Sequence, residues 1–358
     1  MADETSTLGP RVLVVALGGT IAMTAADSGG VTPSLTARQL VDAVPGLGDT
    51  GIEIDVLTFR SKPGASLTID DLTELTITLG EYWEAGISGV VITQGTDTIE
   101  ESAYVLDLLH YGPQPLVVTG AMRNPTLAGA DGPANLLAAI QVAASSAARD
   151  LGCVVVMADE IHPARRVRKT HSTSIATFAS PNGGPLGYLV EGQVVIVNRV
   201  YGRHVVPAGG QSSPLVRLYT ATLGDDSAPL AALSASADGL VVAGFGVGHV
   251  PESWLATLTE VAARIPVVLT SRAGSGPVLT ETYGFPGSER DLISRGLIPA
   301  GLLDPYKARI LLHLALAAGA DRDQVSAAFT AAAGLGASGE WPWAAQAASP
   351  APAMAGGA

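Results

Sequence analysis

Apolar residues in this chain come in short unbroken runs, separated by stretches with helical spacing. Positions 11–16, 89–93 and 153–158 read Arg-Val-Leu-Val-Val-Ala, Gly-Val-Val-Ile-Thr and Cys-Val-Val-Val-Met-Ala. Continuous Val/Ile/Leu runs of this length predict strands buried on both faces. Further strands are expected at 52–59, 114–119, 240–245 and 267–271. Apolar positions three and four apart predict helices at 36–44, 70–85, 99–109, 132–148 and 251–263, and again at 307–318 and 322–333. Strand and helix alternate throughout, the pattern of a doubly wound, mostly parallel α/β sheet.

Length and local composition divide the chain. At 358 residues it exceeds what one hydrophobic core supports, so two domains are expected. From about 203 to 236 it becomes rich in Gly, Ser, Pro and Ala. The expected organisation is a large N-terminal domain over 1–205, a linker over 206–236 and a smaller α/β domain over 237–340. An Ala/Pro/Gly-rich tail over 341–358 is expected to be disordered.

Charge and cysteine usage narrow the function. The net charge is −13, which disfavours nucleic acid or an anionic membrane as partner. No apolar run reaches the length of a membrane span. The start of the chain lacks a basic segment followed by an apolar core, so the cytoplasm is the expected compartment. Cys153 is the single cysteine and lies in a strand-like run, where it reads as core filling. The six histidines show no metal-ligand spacing, and Gly18-Gly19 alone is too little for a nucleotide site. No metal or other cofactor is predicted. Basic positions are filled by 17 Arg and only three Lys, at 62, 169 and 307. A lysine kept in that background fits a task needing a compact charge or a removable proton, with chance as the alternative.

Two strand exits carry the candidate chemistry. The first strand ends in Leu17-Gly-Gly-Thr-Ile-Ala22, the run at 89–93 in Thr93-Gln-Gly-Thr-Asp-Thr-Ile-Glu-Glu101. Each delivers a threonine at the carboxyl end of a predicted parallel strand, where open α/β sheets bind ligands. A tight strand exit explains one such motif; two are hard to explain by turn chemistry. The segment 23–33, with small residues and two glycines, suits a mobile loop over a site, with an ordinary hairpin as the alternative.

These motifs, with Val117-Val-Thr-Gly-Ala-Met-Arg123, Ala130-Asp-Gly-Pro-Ala-Asn135 and Asp304-Pro-Tyr-Lys-Ala-Arg309, resemble the bacterial-type L-asparaginase/glutaminase family over roughly residues 10–335. The resemblance implies hydrolysis of the side-chain amide of L-asparagine without a cofactor. It also implies an intimate dimer or a tetramer whose active sites are completed across subunits. It assigns nucleophilic attack to Thr20, although which threonine attacks first stays open. Thr96, Asp97 and Lys169 form the second implied cluster, Lys169 being the residue that breaks the basic run Arg165-Arg-Val-Arg168. Gly19 and Gly95 bring backbone to the substrate. The α-carboxylate falls to a serine of the loop after the 52–59 strand, where Ser66 is preferred and Ser61 competes. Counting back from Asp304 puts Glu289 where a neighbouring subunit's acid meets the α-amino group, and His249 where an Asn often stands.

The chain departs from the family at three further places. Leu17 replaces a threonine, Val31 stands where a lid tyrosine is expected, and Gly64-Ala65 stand where Ser-Gln is frequent. Either the proton goes elsewhere or a distant tyrosine substitutes, for which Tyr283 is the candidate. Rival readings are a glutaminase-asparaginase, a tRNA-amidotransferase-type amidase, which the acidic balance disfavours, and an inactive amino-acid sensor.

Overall fold

A computed structural model describes residues 9–25, 31–33, 35–208, 213–335 and 340–343. The chain forms two compact units. The first runs to Ala179 and resumes over Pro185–Arg203; the second takes Ser180–Gly184 and His204–Trp343.

In the first unit β1 (Arg11–Ala16) is followed by a small hairpin, β2 (Met23–Ala25) and β3 (Val31–Pro33). Helix α1 (Ala37–Asp42) then leads to β4 (Glu53–Thr58), α2 (Ile69–Glu84), β5 (Gly89–Thr93), α3 (Ile99–Leu109) and β6 (Leu116–Thr119). Helix α4 (Gly132–Ala144) precedes β7 (Cys153–Met157), β8 (Glu160–Pro163), the short pair β9 (Arg168–Lys169) and β10 (Phe178–Ala179), then β11 (Gly187–Val190) and β12 (Gln193–Ile196). The main sheet has eight strands in the order β12-β11-β8-β7-β6-β5-β1-β4. From β4 to β7 it is parallel; β8, β11 and β12 extend it antiparallel. Strands β1 and β5 are adjacent, with Ala16 opposite Thr93, so both motif-bearing exits leave the same edge side by side. That adjacency is the topological basis of the site.

Burial explains the unbroken apolar runs. Val12, Val14, Val91 and Val117 pack with Leu136 and Ile140 of α4. The alternate residues Leu13, Val15, Val90 and Ile92 are equally buried. A sheet covered on both faces has no polar side to alternate with.

The second unit has a four-stranded parallel sheet, β13-β14-β15-β16, from β13 (Val216–Thr220), β14 (Gly239–Gly244), β15 (Val267–Ser271) and β16 (Ile298–Pro299). Its helices are α5 (Ala228–Ser234), α6 (Leu255–Arg264), α7 (Glu289–Ser294), α8 (Pro305–Ala317) and α9 (Arg322–Ala332). Trp254, Leu258 and Val261 pack on Leu240 and Val242.

Three expectations need correction. The expected linker over 206–236 contains β13 and α5, whose Tyr219, Leu230 and Leu233 join the second core; Ala- and Ser-rich sequence there is helix, not spacer. The expected disorder over 341–358 fails at its start: Trp341 stacks on His204 and donates to the Val205 carbonyl, while 344–358 lie outside the described residues. The helix expected to run to 148 ends at Ala144, where Ser145 turns extended and a separate short turn follows over Ser146–Ala148. In the loop expected over 23–33 the described backbone is the β2–β3 hairpin, and 26–30 lie outside the described residues.

Candidate active site

Three backbone segments meet at the carboxyl end of the main sheet with no side chain between them. Gly18 and Gly19 leave β1 at φ +103° and +87°, conformations that a side chain would strain. A Cβ on Gly19 would stand 2.0 Å from the Gly95 nitrogen, and one on Gly18 would stand 2.6 Å from the Lys62 carbonyl oxygen. Gly64 lies equally close: its Cβ would sit 2.9 Å from the Gly95 carbonyl oxygen. Hydrogen bonds tie the three together. Leu17 N–H donates to Thr93 O at 2.9 Å, Lys62 N–H to Leu17 O at 2.9 Å, and the Thr98 hydroxyl to Gly64 O at 3.0 Å. Glycine at 18, 19, 64 and 95 is therefore a packing requirement as much as a turn requirement.

This contact seats the two threonines. Thr20 opens a short 3₁₀ turn over Thr20–Ala22, and Thr96 opens another over Thr96–Thr98. The first N–H groups of such a turn have no acceptor within it. They are available to a developing negative charge. Thr20 is half-buried and its hydroxyl bonds to no other described residue; Thr96 is only 5% exposed.

Lys169 completes a polar cluster. Its Nζ donates to Thr96 Oγ1 at 3.0 Å and to Asp97 Oδ1 at 2.7 Å. The lysine side chain is 13% exposed and Asp97 73%, so the carboxylate keeps an oxygen facing outward. Lys169 is held from behind: its backbone N–H donates to Glu100 Oε2 at 2.9 Å, and Arg168 Nε lies 3.8 Å from that oxygen. Glu100 sits in the first turn of α3, where the helix dipole alone gives reason enough for an acid. Its hold on the lysine strand is visible only in three dimensions. Across the β9–β10 ladder Lys169 pairs with Phe178, which fixes the strand that presents the ammonium.

The third sequence block supports Thr96 from beneath. A Cβ on Gly120 would lie 2.7 Å from Gln94 O and 3.2 Å from the Thr96 methyl. Asn135 Nδ2 donates to Gly120 O at 3.0 Å, and its Oδ1 accepts from Ala158 N–H at 3.0 Å. Asp131, at the start of α4, accepts from the Met122 and Arg123 N–H groups.

The structure therefore brings Gly19, Thr20, Gly95, Thr96, Asp97 and Lys169 into one place. Ser66 ends the short turn Gly64–Ser66 and is exposed, as is Ser61. Glu289 belongs to the second unit and is fully buried there. Its Oε1 accepts from the Thr282 and Tyr283 N–H groups at 3.0 and 2.7 Å, and its Oε2 faces His249 Nε2 at 3.2 Å. Those bonds outweigh the cost of burial and hold its carboxyl below the usual range. Tyr283 packs edge-on against the His249 ring. Val31 lies on β3.

Comparison with known proteins covers nearly the whole chain. The model of the asparaginase N-terminal domain matches residues 11–201, and that of the glutaminase/asparaginase C-terminal domain matches 215–329. L-asparaginase 2 of Escherichia coli is 34% identical over 334 residues, covering 89% of this chain and 92% of its own. The glutaminase-asparaginase of Pseudomonas aeruginosa is 32% identical over 331 residues, covering 89% of this chain and 90% of its own. A crystal structure of a probable cytoplasmic L-asparaginase from Campylobacter jejuni superposes with a TM-score of 0.80 at 33% identity, covering 89% of this chain and 99% of that one.

Proposed function

The chain belongs to the asparaginase family, and from that premise we propose that it hydrolyses L-asparagine to L-aspartate and ammonia. The observation that carries this reading is the Lys169–Thr96–Asp97 cluster, set beside the Gly19–Gly95 backbone contact that places Thr20 next to it.

In the proposed reaction the Thr20 hydroxyl attacks the side-chain amide carbon. The new C–O bond forms as the carbonyl electrons move onto oxygen, and the Thr96 backbone N–H receives that charge. Collapse breaks the C–N bond, ammonia leaves with a proton, and an acyl ester on Thr20 remains. Water then hydrolyses the ester. The Thr96 hydroxyl accepts from Lys169 and so keeps its own proton to orient the leaving nitrogen or the attacking water. Since Val31 stands at the expected place of a lid tyrosine, the Thr20 proton goes to the leaving nitrogen or to water. The outward oxygen of Asp97 takes the substrate ammonium, and the exposed Ser66 hydroxyl, on the turn packed against Gly95, takes the α-carboxylate. Glu289, buried and engaged within its own loop, contributes by holding His249 and the 282–283 backbone. A dimer or tetramer and a cytoplasmic location belong to the same proposal.

The test is ammonia release from L-asparagine and L-glutamine by wild type, Thr20→Ala and Lys169→Met, with light scattering for the assembly. Wild type is expected to release ammonia from asparagine, and each variant to lose at least 10²-fold. A wild type inert on both amides overturns the reading. Comparable rates on the two would make it a glutaminase-asparaginase, since one methylene separates the substrates by only about 1–3 kcal/mol in a pocket.

A further inference from the structure

Lys62 is one of the two lysines that the chemistry above leaves unused, and its partner lies in the next helix. Asp71, in the first turn of α2, is 7% exposed and gathers the loop between β4 and α2 from both ends. Its Oδ1 accepts from Arg60 Nε at 3.0 Å and from Lys62 Nζ at 2.9 Å. Its Oδ2 accepts from Lys62 Nζ at 2.8 Å, from Thr68 N–H at 3.0 Å and from the Thr68 hydroxyl at 3.0 Å. Asp71 N–H returns a bond to Thr68 Oγ1 at 3.1 Å, closing a capping box. A helix cap alone needs only the Thr68 bonds. The two cations do something more: they draw residues 60 and 62 onto the helix start.

The loop so gathered is the one whose backbone touches both threonine turns. The N–H of Lys62 donates to Leu17 O, the Lys62 backbone lies so close to Gly18 that a Cβ there would collide with it, and Gly64 lies on Gly95. Between the anchors, Pro63 to Ser66 has two local turn bonds, Ser66 N–H to Pro63 O and Leu67 N–H to Gly64 O, and one bond from outside the loop, from the Thr98 hydroxyl to Gly64 O. Pro63, Ala65 and Ser66 are exposed, and a segment with so few contacts beyond Gly64 takes much of its order from its ends. The compact ammonium of Lys62 reaches both oxygens of one carboxylate, while the Arg60 guanidinium spans Asp71 and Glu74.

We propose that Asp71 is a positioning residue for substrate binding: by holding Arg60, Lys62 and Thr68 it sets the Gly64–Ser66 turn at the distance from Thr20 and Thr96 that the substrate's α-carboxylate requires. This rests on the asparaginase reading above. Asp71 touches no reacting atom. Its loss changes how well the substrate is held rather than how fast the bound amide reacts.

The experiment compares wild type with Asp71→Asn and Asp71→Glu in the full chain, reading KM and kcat for L-asparagine and amide hydrogen exchange over residues 60–68. Asparagine at 71 keeps the shape and a cap but loses the charge that holds two cations. The expected result is a KM at least tenfold higher with kcat within threefold, and at least tenfold faster exchange over 60–68. Glutamate, the usual third residue of a capping box, is expected to return both readouts to within threefold of wild type. Lys62→Met removes one cation and leaves the cap intact, and serves if Asp71→Asn does not fold; its KM and loop exchange are expected to move the same way. A lower melting temperature with unchanged KM and unchanged loop exchange overturns the proposal and leaves Asp71 a helix cap. If wild type releases no ammonia from either amide, the asparaginase reading falls, and exchange over 60–68 by itself decides whether Asp71 orders the loop.

Discussion

Replacing Gly19 by alanine tests the central contact of the site. Gly19 sits at φ +87°, ψ −173°, a region essentially reserved for glycine and costing other residues about 1–3 kcal/mol. The larger effect is steric. The added carbon would stand 2.0 Å from Gly95 N, 2.3 Å from its Cα and 2.6 Å from the Gln94 carbonyl carbon. Ordinary contact begins at 3.4 Å, so the two strand exits must part by about 1.4 Å, and no flexible side chain is there to yield. Thr20 and Thr96 are the next residue along each exit, so that displacement passes directly to both hydroxyls. A misplacement of about 1 Å costs on the order of 10²-fold in rate. The expected result for Gly19→Ala is a folded protein whose kcat/KM for asparagine falls at least 10²-fold. The control is Gly46→Ala, at φ +75° with nothing within 4 Å of its Cβ. It carries the positive-φ cost of about 1–2 kcal/mol and leaves kinetics unchanged. Ammonia release and urea unfolding on all three proteins separate the two effects. A folded Gly19→Ala with kcat/KM within threefold of wild type would refute the argument.

Two further predictions concern stability. His110, buried at the end of α3 with its Nε2 against Gln114 O at 2.8 Å, is pushed by burial from 6.5 down to about 4. The folded state then binds this proton less readily than the unfolded chain, so its contribution is intact above pH 6.5 and lost as pH falls toward 4. The loss is about 3 kcal/mol; urea midpoints between pH 4 and 7 should fall less steeply for His110→Phe, and equal slopes would remove His110 as the cause. Glu289→Gln weakens charge-assisted bonds to Thr282, Tyr283 and His249 and is expected to cost about 2 kcal/mol, read as a lower urea midpoint. Unchanged stability would sink the assignment of Glu289 to its own loop.

The three lysines show where sequence reasoning reaches and where it stops. Rarity of lysine among 17 arginines singles out 62, 169 and 307 without saying what each does. Lys169 is legible because it breaks a basic run at a motif position. Lys62 and Lys307 are not. Lys62 meets an acid nine residues on, across a turn whose shape depends on glycine contacts with two other segments. Lys307 is fully buried and pairs with Asp304, the cap of its own helix. Glu100 escaped for a related reason: an acid in a first helical turn already has an explanation in the dipole, so nothing in the sequence asks for a second.

What the sequence determined alone is what depends on neighbours along the chain. Unbroken apolar runs specify doubly buried strands, helical spacing specifies the layers over them, and Gly-Gly-Thr and Gly-Thr-Asp specify two sharp strand exits. The antiparallel additions β8, β11 and β12 and the strand and helix inside 206–236 were not legible. Their sequences are short and half-polar, or read as spacer, and only a neighbouring strand or core makes them regular. Tertiary structure alone decided that the two exits touch. Adjacency of β1 and β5, and glycine backbones packed at contact distance, turn two separate threonines into one site, because hydroxyl and ammonium groups act on one another only within hydrogen-bond reach.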